Sequence, residues 1–251
     1  MTKIISILNH KGGVGKTTTS INLAAGLQQK KKKVMVIDLD GQANLTESFG
    51  YSIEEPQTIY GAMKGEYPLP VLKTESGLSL VPSCLDLSAA ESELINEPGR
   101  EMILRGLLAK YEGTSKYDYV IIDCPPSLGL LTLNALTAAD CLIIPVQAQF
   151  LAMRGMAKIM NVINIVQERL NPNLKIGGIV ITQYDGRKTL NKSVTELIKD
   201  SFCDKVFQTI IRDNVSLAEA PINGKTIFEY SKNSKGAQDY LSLAQEVIKL
   251  K

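Results

Sequence analysis

A glycine-rich turn near the start of the chain carries the residues best suited to chemistry. It reads Lys-Gly-Gly-Val-Gly-Lys-Thr-Thr and combines three glycines with two lysines. Glycines let a tight turn point its backbone N–H groups inward without Cβ clashes, and the positive end of a following helix faces the same spot. The turn therefore predicts a phosphate site formed by Lys11, Gly12, Gly13, Val14, Gly15, Lys16, Thr17 and Thr18.

The sequence on either side supplies the elements that position such a site. Residues 4–8 form an apolar run typical of a buried strand, and residues 20–29 have helical spacing. Strand, glycine turn and helix in this order are the context of a nucleotide phosphate loop. In that context Lys16 reaches the β- and γ-phosphates, and the Thr17 hydroxyl is a direct ligand of Mg²⁺.

One position departs from the usual phosphate loop. His10 stands where the first glycine is expected, and Lys11 follows as a second lysine. This arrangement resembles the deviant Walker A loop of the ParA/MinD family, whose pattern is Lys-Gly-Gly-x-Gly-Lys-Thr. The resemblance implies that Lys11 acts across a dimer interface, on the nucleotide bound by the partner. A plain glycine turn with two solvated lysines is the alternative.

Two acidic strand ends accompany the turn. Residues 34–40 are an apolar run that finishes with Asp38 and Asp40, whose side chains strand alternation directs to one side. Residues 119–123 are four apolar residues followed by Asp123, the form of a Walker B strand. The family resemblance implies that Asp38 and Asp123 support the Mg²⁺ through bound water and that Asp40 positions the attacking water. Helix-capping aspartates are the plainer interpretation of the first pair.

Some positions differ from the family pattern. The family's Asp-x-Asp-Pro-Gln reads Asp-Leu-Asp-Gly-Gln, so Gly41 replaces a proline and is expected to loosen the turn that carries Asp40. Gln149 and Arg154 stand where family members often carry glutamate. Contacts that those acids make in relatives are therefore not assumed for this chain.

Later segments extend the resemblance over essentially the whole chain. Residues 124–127 follow Asp123 and, together with it, match the family's Asp-x-Pro-Pro, which the resemblance places as a stiff turn beside the γ-phosphate. Residues 183–187 resemble Met-Tyr-Asp-x-Arg, with Gln183 in place of the methionine. Residues 213–221 resemble Arg-Asn-Val-Arg-Leu-Ser-Glu-Ala-Pro, which borders the adenine in relatives. Asn214 is therefore a candidate for contact with the base.

Apolar runs alternate with helically spaced segments along the chain. This pattern predicts an α/β fold of the P-loop NTPase, deviant Walker A type: a doubly wound, mostly parallel sheet with helices on both faces. With 251 residues, 44% of them hydrophobic, the chain can bury one full core, so we predict a single P-loop ATPase domain over residues 1–251. The spacing over residues 85–110 is interrupted at Pro98 and Gly99, which predicts two helices there.

Composition excludes several other classes of protein. Four scattered cysteines and one histidine give neither zinc-ligand spacing nor a His-based catalytic set. No run reaches the roughly 18 apolar residues of a membrane span, and the N-terminus lacks a signal-peptide pattern, so a cytoplasmic protein is expected. The net charge of +2 excludes a strongly basic nucleic-acid module but leaves room for a local basic face.

The resemblance implies a short ParA-type partition ATPase. Such a protein binds ATP and Mg²⁺, forms a sandwich homodimer, and hydrolyses ATP slowly to ADP and phosphate under stimulation by a ParB-like adaptor. It binds nonspecific double-stranded DNA on the nucleoid and moves a plasmid, a chromosome or a protein cargo such as a carboxysome. A MinD-like membrane-associated regulator and a P-loop kinase are alternatives. The helix expected over residues 236–249 has the spacing to pack on the sheet rather than to form a membrane anchor.

The sequence differs from the family pattern in a segment that bears on DNA binding. Two family arginines, one of them associated with nonspecific DNA binding, appear here as Asp213 and Ser216. Basic residues remain in the same part of the chain: Arg187, Lys188, Lys192, Lys199, Lys205, Arg212, Lys225, Lys232 and Lys235. Acidic residues are interspersed among them, so a DNA-binding face and a simple solvated surface are both open.

Overall fold

An eight-stranded sheet forms the centre of the computed structural model, which describes residues 2–149 and 152–250. The strands are β1 (Lys3–Ile7), β2 (Val34–Asp38), β3 (Leu72–Lys73), β4 (Ser79–Val81), β5 (Tyr119–Asp123), β6 (Cys141–Gln147), β7 (Lys175–Tyr184) and β8 (Val206–Arg212). Their spatial order is β3-β4-β2-β5-β1-β6-β7-β8. Neighbouring strands run parallel except β3 with β4, which confirms the mostly parallel sheet.

Helices connect the strands. They are α1 (Lys16–Gln29), α2 (Asn44–Ser48), α3 (Ile59–Met63), α4 (Ala90–Glu93), α5 (Ile103–Lys110), α6 (Leu130–Ala138), α7 (Ala152–Arg169), α8 (Thr189–Phe202), α9 (Val215–Ile222), α10 (Ile227–Tyr230) and α11 (Lys235–Lys249). Short 3₁₀ turns occur at Leu85–Ala89, Arg100–Met102, Thr114–Lys116 and Cys203–Lys205. Within the described residues, none of these helices has both the length and the apolar character needed to cross a bilayer.

Strand alternation divides the core between the two faces of the sheet. In β2, Val34 and Val36 join an apolar cluster with residues of α1 and α11, whereas Met35 and Ile37 join a second cluster with residues of α5, α6 and α7. All residues of β2 and β5 are buried. Helices therefore cover both faces, as the doubly wound prediction requires.

The carboxyl ends of three central strands meet at one edge of the sheet. In register, Asp123 at the end of β5 lies beside Asp38 on β2 and Ile7 on β1. The chain order reverses around β1, which lies between β5 and β6. Ligands of open parallel sheets bind outside the carboxyl ends of the strands at such a reversal. The fold thus brings the glycine turn and the acidic strand ends together.

Some boundaries differ from the sequence prediction. Strand β2 ends at Asp38 rather than at residue 40. The break at Pro98 and Gly99 is confirmed, because α4 ends before it and α5 begins after it. Helix α9 was not predicted. It begins after Asn214, whose side chain caps it by accepting a hydrogen bond from the Ser216 backbone N–H.

A buried asparagine ties the end of α6 to the turn after α7. Asn171 is 8% exposed, and its Nδ2 donates to the carbonyl oxygens of Leu136 (3.0 Å), Thr137 (3.2 Å) and Ala139 (2.8 Å). The last carbonyl groups of a helix have no partner within the helix. One amide therefore satisfies this helix end and fixes the path from α6 into β6.

Replacing Asn171 by alanine should lower the free energy of unfolding by about 1–3 kcal/mol, because buried carbonyl groups lose their donor. Urea unfolding followed by circular dichroism measures the change. Asn173→Ala, at an exposed position in the same turn, is the matched control and should alter stability by less than about 0.5 kcal/mol. Equal losses in the two variants would contradict the role given to the buried amide.

Candidate functional site

The turn between β1 and α1 borders an open space. Gly13 (φ 73°) and Gly15 (φ 83°) adopt the left-handed conformation that residues with a Cβ rarely take. A Cβ atom on Gly12 or Gly13 would meet no other atom within 4 Å. The space belongs to a cavity of about 480 Å³. Of the residues predicted from sequence, it is lined by Gly12, Gly13, Gly15, Lys16, Thr17, Thr18 and Asp40.

Lys16 brings an ammonium group into this cavity with little access to water. Its exposure is 7%, and its Nζ donates to the carbonyl oxygen of Lys11 at 3.3 Å. Burial lowers the pKa of Lys16, and the charges of Asp123 and Asp40 act in the opposite direction. A buried cation beside a glycine turn and a helix N-terminus suits a bound polyphosphate.

Asp123 fixes the start of α1. Its Oδ2 accepts a hydrogen bond from the Thr17 hydroxyl at 2.7 Å, and its Oδ1 accepts one from the Ser20 hydroxyl at 2.8 Å. Burial raises the pKa of Asp123 to about 6, although the two hydrogen bonds and the charge of Lys16 lower it. A hydroxyl and a carboxylate oxygen thus lie side by side at the edge of the cavity. Such hard oxygen donors suit Mg²⁺.

Asp38 lies behind the cavity. Its Oδ2 accepts from the backbone N–H (2.9 Å) and the hydroxyl (2.7 Å) of Thr46, and its Oδ1 accepts from the backbone N–H of Asp40 (3.2 Å). Burial and then the charge of Asp123 raise the pKa of Asp38 to about 7. Because β2 ends at Asp38, the expected alternation does not extend to Asp40, and of the two only Asp40 lines the cavity.

Hydrogen bonds hold the turn that carries Asp40. The carboxylate Oδ1 of Asp40 accepts from the backbone N–H of Gln42 at 3.0 Å. The carbonyl oxygen of Asp40 accepts from the backbone N–H of Ala43 at 2.9 Å and from the Ser83 hydroxyl at 2.8 Å. These bonds hold both the carboxylate and the carbonyl group of Asp40, and the looser turn expected from Gly41 stays a prediction.

Gly41 has a steric reason instead. A Cβ atom on Gly41 would come within 2.9 Å of the backbone nitrogen of Ser88, in the turn Leu85–Ala89. Any larger residue, including the proline of the family pattern, would force this turn away. Gly41 thus permits a close approach of two segments.

The side chain of Lys11 lies outside the cavity that Lys16 lines. Its side chain is exposed and does not line the cavity. Its Nζ donates to Oε1 of Gln149, and its backbone N–H donates to Oδ1 of Asn9 at 3.0 Å. Asn9 is itself held by a hydrogen bond from its Nδ2 to the carbonyl oxygen of Pro145 at 2.8 Å. One glycine turn therefore directs one lysine inward and one outward.

A second, smaller cavity of about 150 Å³ adjoins the first. Asn214 lines it, together with Asp213, and both cavities share Gly15, Thr18, Gln183, Leu217 and Ala218 along their common wall. The Oδ1 of Asn214 is engaged with the start of α9, which leaves its Nδ2 as the group able to donate to a ligand. This cavity has the position expected for a base beside the phosphate site.

Sequence reasoning missed the residues that hold the predicted ones. Ser20 lies three residues after Thr17, so helical spacing could have identified it as a second donor to the same carboxylate. Thr46 gave no such signal, because its link to Asp38 forms only in the folded chain. Further residues that line the larger cavity are Ile21, Gln42, Asn44, Ser48, Pro126, Gln183, Leu217, Ala218 and Pro221.

The basic residues of the C-terminal part have different surroundings. Arg187 forms an ion pair with Asp185 at 2.9 Å, and Arg212 forms one with Asp239 at 2.6 Å. Other basic side chains lie on α8, where Lys192 and Lys199 are exposed. Their seven-residue spacing puts both on one side of the helix.

Comparison with known proteins gives concordant results. A family model described as an AAA domain matches residues 2–176. Sporulation initiation inhibitor protein Soj of Bacillus subtilis (strain 168) is 44% identical over 251 residues, covering 98% of each chain. Chromosome partitioning protein ParA of Myxococcus xanthus (strain DK1622) is 43% identical, covering 98% of this chain and 88% of its own. A solved structure that resembles this chain is cobyrinic acid a,c-diamide synthase from Mycobacterium smegmatis, with bound ATP analog and magnesium. It superposes with a TM-score of 0.85 at 36% sequence identity, covering 98% of this chain and 93% of its own.

The buried carboxylates predict that stability falls as pH rises. The pKa is about 7 for Asp38 and about 6 for Asp123, against an ordinary 3.8, so between about pH 4 and pH 7 the folded protein keeps protons that the unfolded chain has released. The free energy of unfolding should decrease across this window by several kcal/mol, since each unit of raised pKa carries about 1.4 kcal/mol. Asp38→Asn should make the free energy of unfolding depend less on pH. Urea unfolding of nucleotide-free and metal-free protein at a series of pH values measures this dependence.

Asp86→Asn, at an exposed position, is the control for removing a carboxylate that the site does not bury. It should keep the slope of the parent protein. An Asp38→Asn profile as steep as that of the control would contradict the assignment.

Proposed function

The chain belongs to the ParA-type ATPases of the ParA/MinD family, and from this premise we propose that it is a partition ATPase, acting as one P-loop domain, whose ATP-bound form is a sandwich dimer. Its cofactors are ATP and Mg²⁺, which the bound ATP analog and magnesium of the solved M. smegmatis relative support. The open space at Gly12 and Gly13, together with the oxygen pair of Thr17 and Asp123, fits both.

The observation that carries the proposal is that two lysines of one turn lie in different surroundings. Lys16 is buried in the cavity that suits the phosphates, whereas Lys11 is exposed and engaged with Gln149 outside it. A cation that lies outside the phosphate cavity of its own subunit is available to the nucleotide of a second copy. Binding of the nucleotide and pairing of two chains then become one event.

Hydrolysis requires positioning and charge neutralisation more than covalent chemistry. Bound Mg²⁺ supplies a positive charge at the phosphate oxygens. Lys16 neutralises phosphate charge from inside the cavity, and Asp123 holds the Thr17 hydroxyl in place for metal binding. Asp40 accepts a hydrogen bond from the attacking water, and its hydrogen-bonded turn keeps the carboxylate in one position. Lys11 of the second copy adds a further cation, as an arginine finger does.

Cargo movement requires a DNA surface and an adaptor in addition to the ATPase. The name of the Myxococcus xanthus relative, a chromosome partitioning protein, supports DNA segregation as the first choice of cargo movement. The nucleoid as the DNA surface and a ParB-like protein as the adaptor are part of our proposal. The side of α8 that carries Lys192 and Lys199 is the candidate surface for nonspecific double-stranded DNA. Asp213 and Ser216 are acidic and neutral where the family pattern has arginine, so we choose the lysines of α8 as the residues to test, with the exposed Glu196 between them on the same side.

Substitution of the two lysines tests the proposal. Lys16→Ala should abolish nucleotide binding, because the buried cation is lost. Lys11→Ala should keep monomer affinity for ATP within about twofold while weakening ATP-dependent dimerisation and turnover by at least about tenfold. Calorimetry measures the first property, and sedimentation velocity with a nonhydrolysable triphosphate measures the second.

Lys116→Ala, exposed at the opposite end of β5, is the matched control and should behave as the parent protein. Equal loss of nucleotide affinity in Lys11→Ala and Lys16→Ala would contradict a role for Lys11 across the interface. A parent protein that stays monomeric with the nonhydrolysable triphosphate would overturn the sandwich dimer itself.

Binding to duplex DNA of arbitrary sequence should depend on ATP and weaken with salt. Each lost phosphate contact reduces the slope of log affinity against log salt by about 0.9, so Lys192→Ala combined with Lys199→Ala should reduce it by about 1–2. Fluorescence anisotropy over a salt series measures this, again with Lys116→Ala as the control. A double variant that binds like the control would remove α8 from the DNA surface.

A further inference from the structure

Strand β7 carries one extra residue against β8 where it reaches the glycine turn. Ile181 pairs with Ile210 and Tyr184 pairs with Arg212, so three steps along β7 match two along β8. Within this bulge Gln183 has a φ of 50°, a left-handed conformation that is uncommon for a residue with a Cβ. Bulges redirect side chains out of the alternating pattern of a strand. Here the redirected side chain meets the phosphate turn.

Gln183 bridges two strands and the turn. Its Nε2 donates to the carbonyl oxygen of Gly13 at 2.8 Å, and its Oε1 accepts from Nε2 of Gln147 at 2.6 Å. The preceding residue, Thr182, donates from its hydroxyl to the carbonyl oxygen of Val14 at 2.8 Å. Two consecutive carbonyl groups of the turn are thus held by two consecutive residues of β7.

The direction of these carbonyl groups fixes the direction of the turn's donors. In a trans peptide the C=O and N–H groups point in opposite directions. Holding the carbonyls of Gly13 and Val14 toward β7 therefore points the N–H groups of Val14 and Gly15 away from it. Backbone N–H groups of such a turn are the donors that bind phosphate oxygens.

We propose that Gln183, supported by Gln147, is a positioning residue that orients the phosphate-binding N–H groups of the turn and so sets the affinity for nucleotide. The proposal rests on the ATP binding proposed above. The family pattern has methionine at this position, and a methionine side chain can make neither hydrogen bond. The link is therefore a property of this chain's own glutamine pair.

Two substitutions of Gln183 test the proposal. Gln183→Gly removes the side chain and adopts the left-handed φ without strain, whereas Gln183→Met keeps the side-chain length and removes both hydrogen bonds. Each should raise the Kd for MgATP and the KM by roughly three- to tenfold, the value of one hydrogen bond, while kcat changes by less than about twofold. The unfolding midpoint of the nucleotide-free protein should stay within about 2 °C for Gln183→Gly.

The partner glutamine supplies an independent measurement. Gln147→Ala should weaken MgATP binding less than Gln183→Gly does, and the two changes should combine non-additively because both act through one chain of hydrogen bonds. Gln208→Ala, an exposed glutamine on β8, is the control and should leave the Kd unchanged. Isothermal titration calorimetry gives the Kd for all six proteins: the parent, the four single variants and the double variant Gln147→Ala/Gln183→Gly.

The outcomes separate this inference from the proposed function. A parent protein that does not bind MgATP overturns both. Parent binding with unchanged Kd in Gln183→Gly and Gln183→Met overturns the positioning role alone. A loss of affinity that is matched by a large fall in the unfolding midpoint of both variants also overturns it, since the glutamine would then act on the fold in general. Weaker binding with an intact fold and coupled effects of the two glutamines supports it.

Discussion

The burial of two neighbouring carboxylates is the constraint on which the site depends. Asp38 and Asp123 end adjacent strands in register, and both are shielded from water. Burial and mutual repulsion disfavour their charged forms, so hydrogen-bond donors have to compensate. Thr17 and Ser20 supply them to Asp123, and Thr46 supplies them to Asp38. Because these donors lie in α1 and α2, the arrangement that satisfies the carboxylates also fixes the helix that follows the phosphate turn.

The parts of this arrangement that are local in sequence could be predicted. The phosphate turn lies within residues 11–18, and glycine conformations and the following helix determine its form. Asp123 was identified because a buried strand of apolar residues ends in an acid. The doubly wound sheet followed from the alternation of apolar runs and helical spacing, and the observed strand order confirms it. For the phosphate turn and for Asp123, the signal and the structure it determines lie within a few residues of each other.

The parts that depend on contacts between distant segments could not be predicted. The steric reason for Gly41 is the backbone of Ser88, which approaches only after folding. Strand alternation failed between Asp38 and Asp40 because the chain leaves the sheet at that point, which periodicity does not reveal. Gln183 reaches Gly13 from 170 residues away through a bulge that has no sequence signature.

The charges around the turn suggest why nucleotide and pairing belong together in the proposed dimer. Burial and then the charges of Lys158, Lys16 and Lys11 lower the pKa of His10, so three lysine charges act on this end of the turn. Gln149 accepts a hydrogen bond from Lys11 but, unlike the glutamate common in the family, does not neutralise its charge. Two such faces repel each other when they approach. In the dimer that we propose, a triphosphate in each cavity would set several negative charges between the opposing lysines, so the ligand that fills the site would also remove the barrier to association.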